Sequence, residues 1–232
     1  IMTYLINMGL DKEQSFTIME SVRKGKGLKP EWEEEMTSHG VPDWYIWSCK
    51  KIKYMFPKAH AAAYVMMGWR VAWFKVHKPL AYYAAYFGIR ASAFSYEIMC
   101  RGKERLDAAL SELLQTPKDQ QTKKDQDTIR DGRIAQEMYA RGFEFMPIDI
   151  YKAKARECQI IDGKIMPPLS SVEGLGDKAC EQVEEAAKHG PFTSLENFRN
   201  QAKVSKTNVD KMAELGILNG LPDTDQLTFD FF

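Results

Sequence analysis

Apolar residues recur every three or four positions along most of the chain, which is the spacing of amphipathic helices. Two short helices are predicted within residues 1–22, and further helices over residues 30–36, 43–54, 56–75, 80–89, 95–114 and 129–141. One stretch departs from this spacing: residues 158–161 and 164–166 flank Asp162-Gly163, a dipeptide suited to a type I′ hairpin turn. The pattern therefore predicts a mainly α-helical chain with one small β-hairpin.

The predicted helix over residues 56–75 organises the rest of the chain. Pro57 suits the first position of a helix, because it has no N–H to leave unpaired and its φ is already fixed near the helical value. Three- and four-residue steps then connect a set of apolar side chains, namely Ala61, Val65, Trp69, Ala72 and Trp73. This periodicity predicts that one side of the helix is buried in a core.

The start of the same helix is a candidate anion site. Its first amides and its dipole favour negative charge, and Lys58 and His60 lie in the first turn. Tyr64 follows His60 by four residues and shares its helical face, where a ring could stack on a nucleobase. The pattern suggests a nucleotide pocket. The alternative is structural, because an isolated histidine or tyrosine on such a helix is more often a packing residue.

A basic loop lies ahead of this helix. Arg23, Lys24 and Lys26 are interleaved with Gly25 and Gly27, so a flexible backbone carries several cations. Such a loop could cradle phosphates. It could equally be an ordinary solvated turn, since basic turns are common on protein surfaces.

Acidic and basic residues are unevenly distributed along the chain. The 232 residues have a formal net charge of zero. Their hydrophobic content of 44% and aromatic content of 12% are typical of a globular protein. No acidic residue lies within 44–96, where eight cations lie among many aromatic residues: Lys50, Lys51, Lys53, Lys58, Arg70, Lys75, Lys78 and Arg90. Trp44, Ile46 and Trp47 are expected to pack while the neighbouring lysines face solvent. This segment has the composition of a nucleic-acid surface.

Cysteine spacing and hydropathy exclude several classes of protein. Cys49, Cys100, Cys158 and Cys180 are far apart, which argues against a zinc site or a disulfide framework and fits a reducing cytoplasm. Arg70 interrupts the apolar run after His60, so this run is too short to span a membrane, and no signal peptide is visible. The chain begins at Ile1 in mid-pattern, and we expect it to be the C-terminal part of a longer protein.

A second motif follows the predicted hairpin. Gly174, Leu175, Gly176 and Lys178 precede an amphipathic helix in an arrangement that resembles a helix-hairpin-helix motif, in which backbone amides bind a DNA phosphate without reading sequence. A degenerate second repeat is expected within residues 192–217. A glycine-rich helix connection needs no ligand, so the Gly-Leu-Gly triplet alone is a weak signal.

These motifs together resemble one family. Residues 56–64, Phe-Pro-Lys-Ala-His-Ala-Ala-Ala-Tyr, and residues 73–79, Trp-Phe-Lys-Val-His-Lys-Pro, are similar to the fingers motif of bacterial family C replicative DNA polymerases in its PolC-type form. The last seven residues resemble the clamp-binding peptide of bacterial replication proteins, with its positions filled by Gln226, Phe229, Phe231 and Phe232. Phe229 and Phe231 stand where leucine is usual.

The resemblance implies a domain organisation and a fold. It implies a mainly α fold: a helical fingers subdomain, a small β-hairpin with tandem helix-hairpin-helix modules, and an extended tail. The corresponding ranges are residues 1–114 for the distal fingers, 115–150 for a linker and connecting helix, 151–220 for the hairpin and DNA-binding modules, and 221–232 for the clamp-binding tail.

The resemblance also implies site residues and partners. Arg23, Lys24, Lys26 and Lys58 would face the triphosphate of the incoming dNTP, His60 its phosphate or sugar, and Tyr64 its base or sugar. Primer-template DNA would contact a set formed by Lys50, Lys51, Lys53, Gly174, Leu175, Gly176 and Lys178. Further expected partners are the sliding clamp and other replisome subunits, at a nucleoid-associated location in the cytoplasm and without a membrane.

Catalysis is expected to depend on residues outside this chain. The implied reaction is Mg²⁺-dependent addition of a deoxynucleotide to a primer, with the metal held by palm aspartates that the sequence lacks. We therefore expect no catalytic residue and no metal ligand here, and no polymerisation by this segment alone. The competing hypothesis is a separate, non-catalytic module that binds DNA and the clamp; it leaves the basic loop and the Lys58, His60 and Tyr64 constellation unexplained.

Overall fold

The computed structural model describes residues 1–225, and the fold is mainly helical as the sequence predicts. Its twelve α-helices within that range are α1 (Met2–Asn7), α2 (Lys12–Arg23), α3 (Pro30–Ser38), α4 (Asp43–Lys51), α5 (Lys58–His77), α6 (Pro79–Ala85), α7 (Tyr96–Met99), α8 (Lys103–Gln115), α9 (Lys123–Ala140), α10 (Asp177–Ala187), α11 (Leu195–Ala202) and α12 (Lys206–Glu214). The expected clamp-binding residues Gln226, Phe229, Phe231 and Phe232 lie outside the described residues.

The chain divides into two compact units, Ile1–Arg70 and Val71–Phe232, and the boundary falls within α5. The sequence-based boundary after residue 114 lies elsewhere, inside the second unit. There the polar stretch begins a helix earlier than expected, because Thr122 and Asp125 form a capping box that starts α9 at Lys123. Helix α9 then packs against α8. Residues 123–140 are therefore part of the core of the second unit.

The first unit is built from α1–α4 around a small apolar core. Its fully buried apolar side chains are Leu5 on α1, Ile18 and Val22 on α2, and Met36 on α3, and α4 adds the buried Ile46. Asp11 caps α2 by accepting hydrogen bonds from the amides of Glu13 and Gln14 at 2.8 and 3.0 Å. This cap fixes the start of the helix that ends in the basic loop.

The second unit has one continuous core that includes the β-hairpin. Strands β1 (Gln159–Ile161) and β2 (Lys164–Met166) pair antiparallel, with Ile160 opposite Ile165. Asp162 and Gly163 both have positive φ, 49° and 77°, which confirms the type I′ turn predicted from their sequence. Ile165 and Met166 are both fully buried, so β2 is an integral part of this core.

A buried carboxylate ties three parts of the second unit together. Asp131 on α9 is fully buried and accepts hydrogen bonds from the Tyr86 hydroxyl at 2.8 Å, the amides of Ser92 and Ala93 at 2.8 and 2.9 Å, and Arg130 Nε at 2.9 Å. Burial alone would raise the pKa of Asp131, but these donors lower the pKa below its usual value. The charged form is the one that the fold stabilises.

Helix α5 contradicts the prediction of a buried face. None of its residues is buried, and Trp69 is 76% exposed. Trp44 and Trp47 on α4 are also exposed, and only Ile46 of the expected packing set is buried. Hydrophobic periodicity identifies a helix face that is stabilised by burial, but it does not identify the element that packs on it. No described element buries this face of α5. No helix among residues 1–225 has the length and hydropathy to cross a membrane.

Candidate nucleotide and DNA interfaces

A row of aromatic rings runs along the start of α5. The rings of Phe56 and His60 are stacked in parallel with centroids 5.1 Å apart, and His60 contacts Tyr64 at 4.5 Å between centroids. Tyr54 meets Phe56 edge-on at 4.7 Å. The four-residue spacing of His60 and Tyr64 thus brings their rings together as the sequence indicated. Tyr54 and Phe56 extend the row beyond the predicted nucleotide-binding residues.

The row of rings borders a shallow concavity. Phe56, His60, Ala61 and Tyr64 line this space of about 340 Å³, which is open to solvent. Lys58 begins the helix, and the Pro57 carbonyl accepts a hydrogen bond from the amide of Ala61 at 3.0 Å, which closes the first turn. A cation, helix amides and an exposed ring surface therefore share one end of α5. Their arrangement is suited to an anion attached to a planar group.

The basic loop is held against the segment that leads into α5. The carbonyl of Arg23 accepts a hydrogen bond from the Met55 amide at 3.0 Å. Gly25 has φ of +71° and packs so closely on Lys53 that a Cβ at position 25 would lie 1.8 Å from the Lys53 carbonyl oxygen. Only glycine fits this approach. The sequence pattern gave two glycines in the loop but not which backbone the loop contacts.

Two of the three loop cations share one carboxylate. Glu20 is 2.7 Å from Arg23 Nε and 3.0 Å from Lys24 Nζ. Hydrogen bonds from Arg23 and then Lys24 lower the pKa of Glu20 to about 2, so Glu20 is ionised at neutral pH. Lys26 is exposed and has no ion-pair partner in the described part of the chain. The free positive charge of the loop is therefore smaller than its composition indicates.

The lysines predicted to contact DNA near α4 have different surroundings. Lys50 forms an ion pair with Glu33 at 3.0 Å, and Lys51 lies 5.3 Å from the centre of the Trp47 ring. The Lys53 side chain is exposed, and its backbone carbonyl is the group that faces Gly25. Lys51 and Lys53 remain accessible to a phosphate, whereas Lys50 would have to leave Glu33.

The first hairpin of the predicted DNA-binding region has the expected backbone form. Gly174 has φ of +88°, Leu175 is buried, and Gly176 is the extended residue before α10. No described side chain caps α10, so its first-turn amides have no side-chain acceptor among the described residues. Neither glycine has a neighbour within 4 Å of where a Cβ would lie. A phosphate could therefore approach this backbone closely.

A second hairpin repeats this geometry. Lys203 has a left-handed backbone with φ of 53°, Val204 is buried, and Ser205 is the extended residue before α12, with φ and ψ of −68° and 154° against −67° and 158° for Gly176. Lys206 then begins the helix. This hairpin lies within residues 192–217, where the sequence predicts a degenerate repeat but does not identify the hairpin itself. Lysine stands where the first hairpin has glycine, so composition gave no signal there.

The charges around the two hairpins differ. Near the first, Arg156 pairs with Asp177 at 3.3 Å, and Lys124 pairs with Glu173 at 2.6 Å. Lys178 is exposed and has no ion pair among residues 1–225. Lys203 and Lys206 at the second hairpin are likewise exposed and free of ion pairs within that range. The second hairpin therefore has the less compensated positive charge.

The described residues do not provide a metal site. No group of three or more histidine, cysteine or acidic side chains in residues 1–225 is placed to hold an ion. The donor set that a two-metal reaction requires is thus not found in this range. The arrangement fits binding and positioning of anions.

The two hairpins define a protein of the helix-hairpin-helix class, and the sequence comparisons agree with this class. A family model described as a helix-hairpin-helix motif matches residues 142–227. Much longer matches are proteins named DNA polymerase III PolC-type. Those of Caldanaerobacter subterraneus subsp. tengcongensis and Bacillus subtilis are each 46% identical over 228 residues, and that of Bacillus cereus is 48% identical over 229 residues.

Each of these matches covers 98% of this chain and 16% of the relative. The chain belongs to the PolC-type DNA polymerase III family and spans about one sixth of the length of the relatives that it matches. The family recognised from the fingers and helix-hairpin-helix motifs is confirmed.

Proposed function

We propose that this chain is the C-terminal segment of a replicative DNA polymerase, in which it binds the incoming dNTP, holds the template-primer duplex and tethers the enzyme to the sliding clamp. The proposed binding of dNTP rests on the contact between the basic loop and the segment that leads into α5. Through Arg23, Gly25 and their backbone partners, a cationic loop is fixed beside the row of rings that begins at Tyr54.

Each nucleotide-binding residue has a distinct role in this proposal. Lys58 and the first amides of α5 bind triphosphate oxygens, because a helix N-terminus and an ammonium group both favour negative charge. Lys26 adds a free cation, while Arg23 and Lys24 exchange Glu20 for phosphate when the nucleotide binds. His60 donates a hydrogen bond to phosphate or sugar, and Tyr64 packs on the base or sugar.

Duplex binding is assigned to the two hairpins and to lysines near α4. The amides after Gly176 and Ser205, with Lys178 and Lys206, would contact phosphates at two places along the backbone, which gives affinity without sequence preference. Lys51 and Lys53 of the first unit would contribute further phosphate contacts.

The clamp tether is assigned to Gln226, Phe229, Phe231 and Phe232. Its support is the sequence pattern, which matches an aromatic peptide that inserts into a groove of a partner. The proposed contribution of residues 1–225 is positioning, and Mg²⁺ is expected to be bound by other residues of the full polymerase.

The nucleotide assignment is tested by Lys58→Ala in the full polymerase chain. The apparent KM for dNTP should rise about tenfold or more, since hydrogen bonds between charged groups contribute about 1.5–3 kcal/mol, while the Kd for primer-template duplex should stay unchanged. Lys12→Ala is the matched control, because Lys12 is also exposed and lies at a helix start without an ion pair in the described part. Unchanged dNTP dependence in the Lys58 variant would remove this residue from the triphosphate site.

The tether is tested separately by deleting residues 226–232 from the full chain. Synthesis stimulated by the clamp should fall, while distributive synthesis in its absence should be retained. An equal loss in both assays would contradict the tether. If neither Lys58→Ala nor Gly25→Ala changes incorporation, the separate DNA- and clamp-binding module becomes the better account.

A further inference from the structure

An apolar groove lies in the second unit between the last turns of α5 and the segment that follows α6. Its lining includes Val71 and Phe74 of α5, Tyr82 and Ala85 of α6, and Tyr86 and Ile89 of the π-helical turn over residues 86–90. The groove encloses about 640 Å³ and is almost entirely apolar. Ile89 is 87% exposed, an unusual position for a side chain of its hydrophobicity.

The wall of the groove is preformed. The Tyr86 hydroxyl and the amides of Ser92 and Ala93, on either side of Ile89, are all bonded to the buried carboxylate of Asp131. A surface held at both ends in this way can receive a partner without a large ordering cost. Its size and apolar lining fit the apolar face of a helix, the mode in which helices bind grooves.

Charge indicates the chemistry of the occupant. Residues 44–96 contain no acidic side chain, and Arg90 lies at the groove with Lys78 just before α6. Neither cation has an ion pair in the part of the chain that the structure describes. An apolar helix with acidic residues at its flanks would match both the lining and the rim.

The family indicates the source of the occupant, because the relatives extend far beyond the 16% of their length that this chain covers. We propose that the groove is filled by an apolar, acid-flanked helix from the remainder of the polymerase polypeptide. The groove is then an internal docking surface of the full enzyme. This proposal rests on the proposed function only in that the chain forms part of a larger polymerase.

The test uses thiol labelling in the full polymerase chain without DNA. Ile89→Cys and the control Ile160→Cys are treated with a maleimide, and labelling at each site is followed by mass spectrometry. Ile160 is 47% exposed on β1, so an open groove would let the Ile89 variant react at least as fast. We expect it to react about tenfold or more slowly, because a covered thiol reacts only while the surface opens. Labelling as fast as the control would overturn the proposal.

Further arms separate the other occupants. Deletion of residues 226–232 should leave the labelling of Ile89→Cys slow; faster labelling would assign the groove to the tail and overturn the proposal. Dilution should also leave the rate unchanged, whereas a faster rate on dilution would assign the groove to a second copy and overturn the proposal. Hydroxyl-radical footprinting of the unsubstituted chain compares the accessibility of Phe74 and Ile89 with that of Ile160 without any substitution. Labelling does not depend on dNTP, so its outcome is independent of the Lys58→Ala assay.

Discussion

The substitution Gly25→Ala tests whether the close contact of the basic loop serves nucleotide binding. Position 25 has φ of +71°, and the added Cβ would lie 1.8 Å from the Lys53 carbonyl oxygen, so the loop or the segment entering α5 must move. Gly27→Ala is the matched control. Gly27 has nearly the same φ, +74°, but no atom lies within 4 Å of where its Cβ would be.

Both variants have the free-energy cost of a left-handed backbone, and only Gly25→Ala also loses a contact. A left-handed backbone costs a non-glycine residue about 1–2 kcal/mol, and this applies equally at both positions. Only Gly25→Ala also breaks the contact with Lys53 and the neighbouring hydrogen bond from Met55 to Arg23, which contributes about 1 kcal/mol. The difference between the variants should thus be about 1 kcal/mol or more, which corresponds to a factor of roughly five to ten in the population of the docked loop.

Two assays in the full polymerase chain measure this difference. Trypsin should cleave after Arg23, Lys24 and Lys26 about fivefold faster in Gly25→Ala than in Gly27→Ala, because cleavage follows the open population of the loop. The apparent KM for dNTP should rise in parallel, with duplex affinity unchanged. Faster cleavage without any change in KM would refute the role of loop docking in nucleotide binding. Equal cleavage of the two variants would refute the contact itself.

Three further predictions concern charged groups. Asp131→Ala should destabilise the second unit by about 1–3 kcal/mol at pH 7, because the Tyr86 hydroxyl and the amides of Ser92 and Ala93 lose their acceptor; urea unfolding measures the change. Because the folded pKa of Asp131 lies below the unfolded value of 3.8, its contribution is present above pH 3.8 and should fade as pH drops through the folded pKa; a difference from the unsubstituted chain that persisted undiminished in acid would contradict this. Glu20→Gln should lower the apparent KM for dNTP about two- to threefold by freeing Arg23 and Lys24, and a raised KM would show instead that Glu20 positions the loop. The double variant Lys203→Ala with Lys206→Ala should reduce the slope of log Kd against log salt for duplex binding by roughly 2, measured by fluorescence anisotropy; Lys188→Ala, whose lysine pairs with Glu185, is the control, and an unchanged slope would exclude the second hairpin.

Features that depend on nearby residues could be predicted from the sequence. The type I′ turn at Asp162 and Gly163 follows from a dipeptide, and the contact of His60 with Tyr64 follows from four-residue helical spacing. The left-handed form of Gly174 is also a local property. In each case the physical cause acts within a few positions, so the pattern of the chain contains it.

Features that depend on distant segments could not be predicted in the same way. The contact of Gly25 with Lys53 joins positions 28 residues apart, and the pairing of Glu20 with two loop cations could not be read from the number of basic residues. The hairpin at Lys203 has the backbone of a glycine hairpin without the glycine, because Val204 packs into the core and Ser205 caps α12. Tertiary contacts there replace the local sequence signal.

The exposure of α5 connects these observations to the family. A helix of 20 residues exceeds the length at which isolated helices are marginal in water, about 12–15 residues, and Ala59, Ala61, Ala62 and Ala63 favour helix at its start. Helix α5 can thus form by intrinsic propensity while Trp69 remains in water. Burying one such side chain would contribute on the order of 2 kcal/mol, free energy that α5 does not gain within the described residues. The same helix presents Lys58 and His60 at its start. Under the proposed function, the group that covers α5 and the nucleotide that binds at its start both come from beyond the described residues, which is consistent with a chain that spans 16% of the length of its relatives.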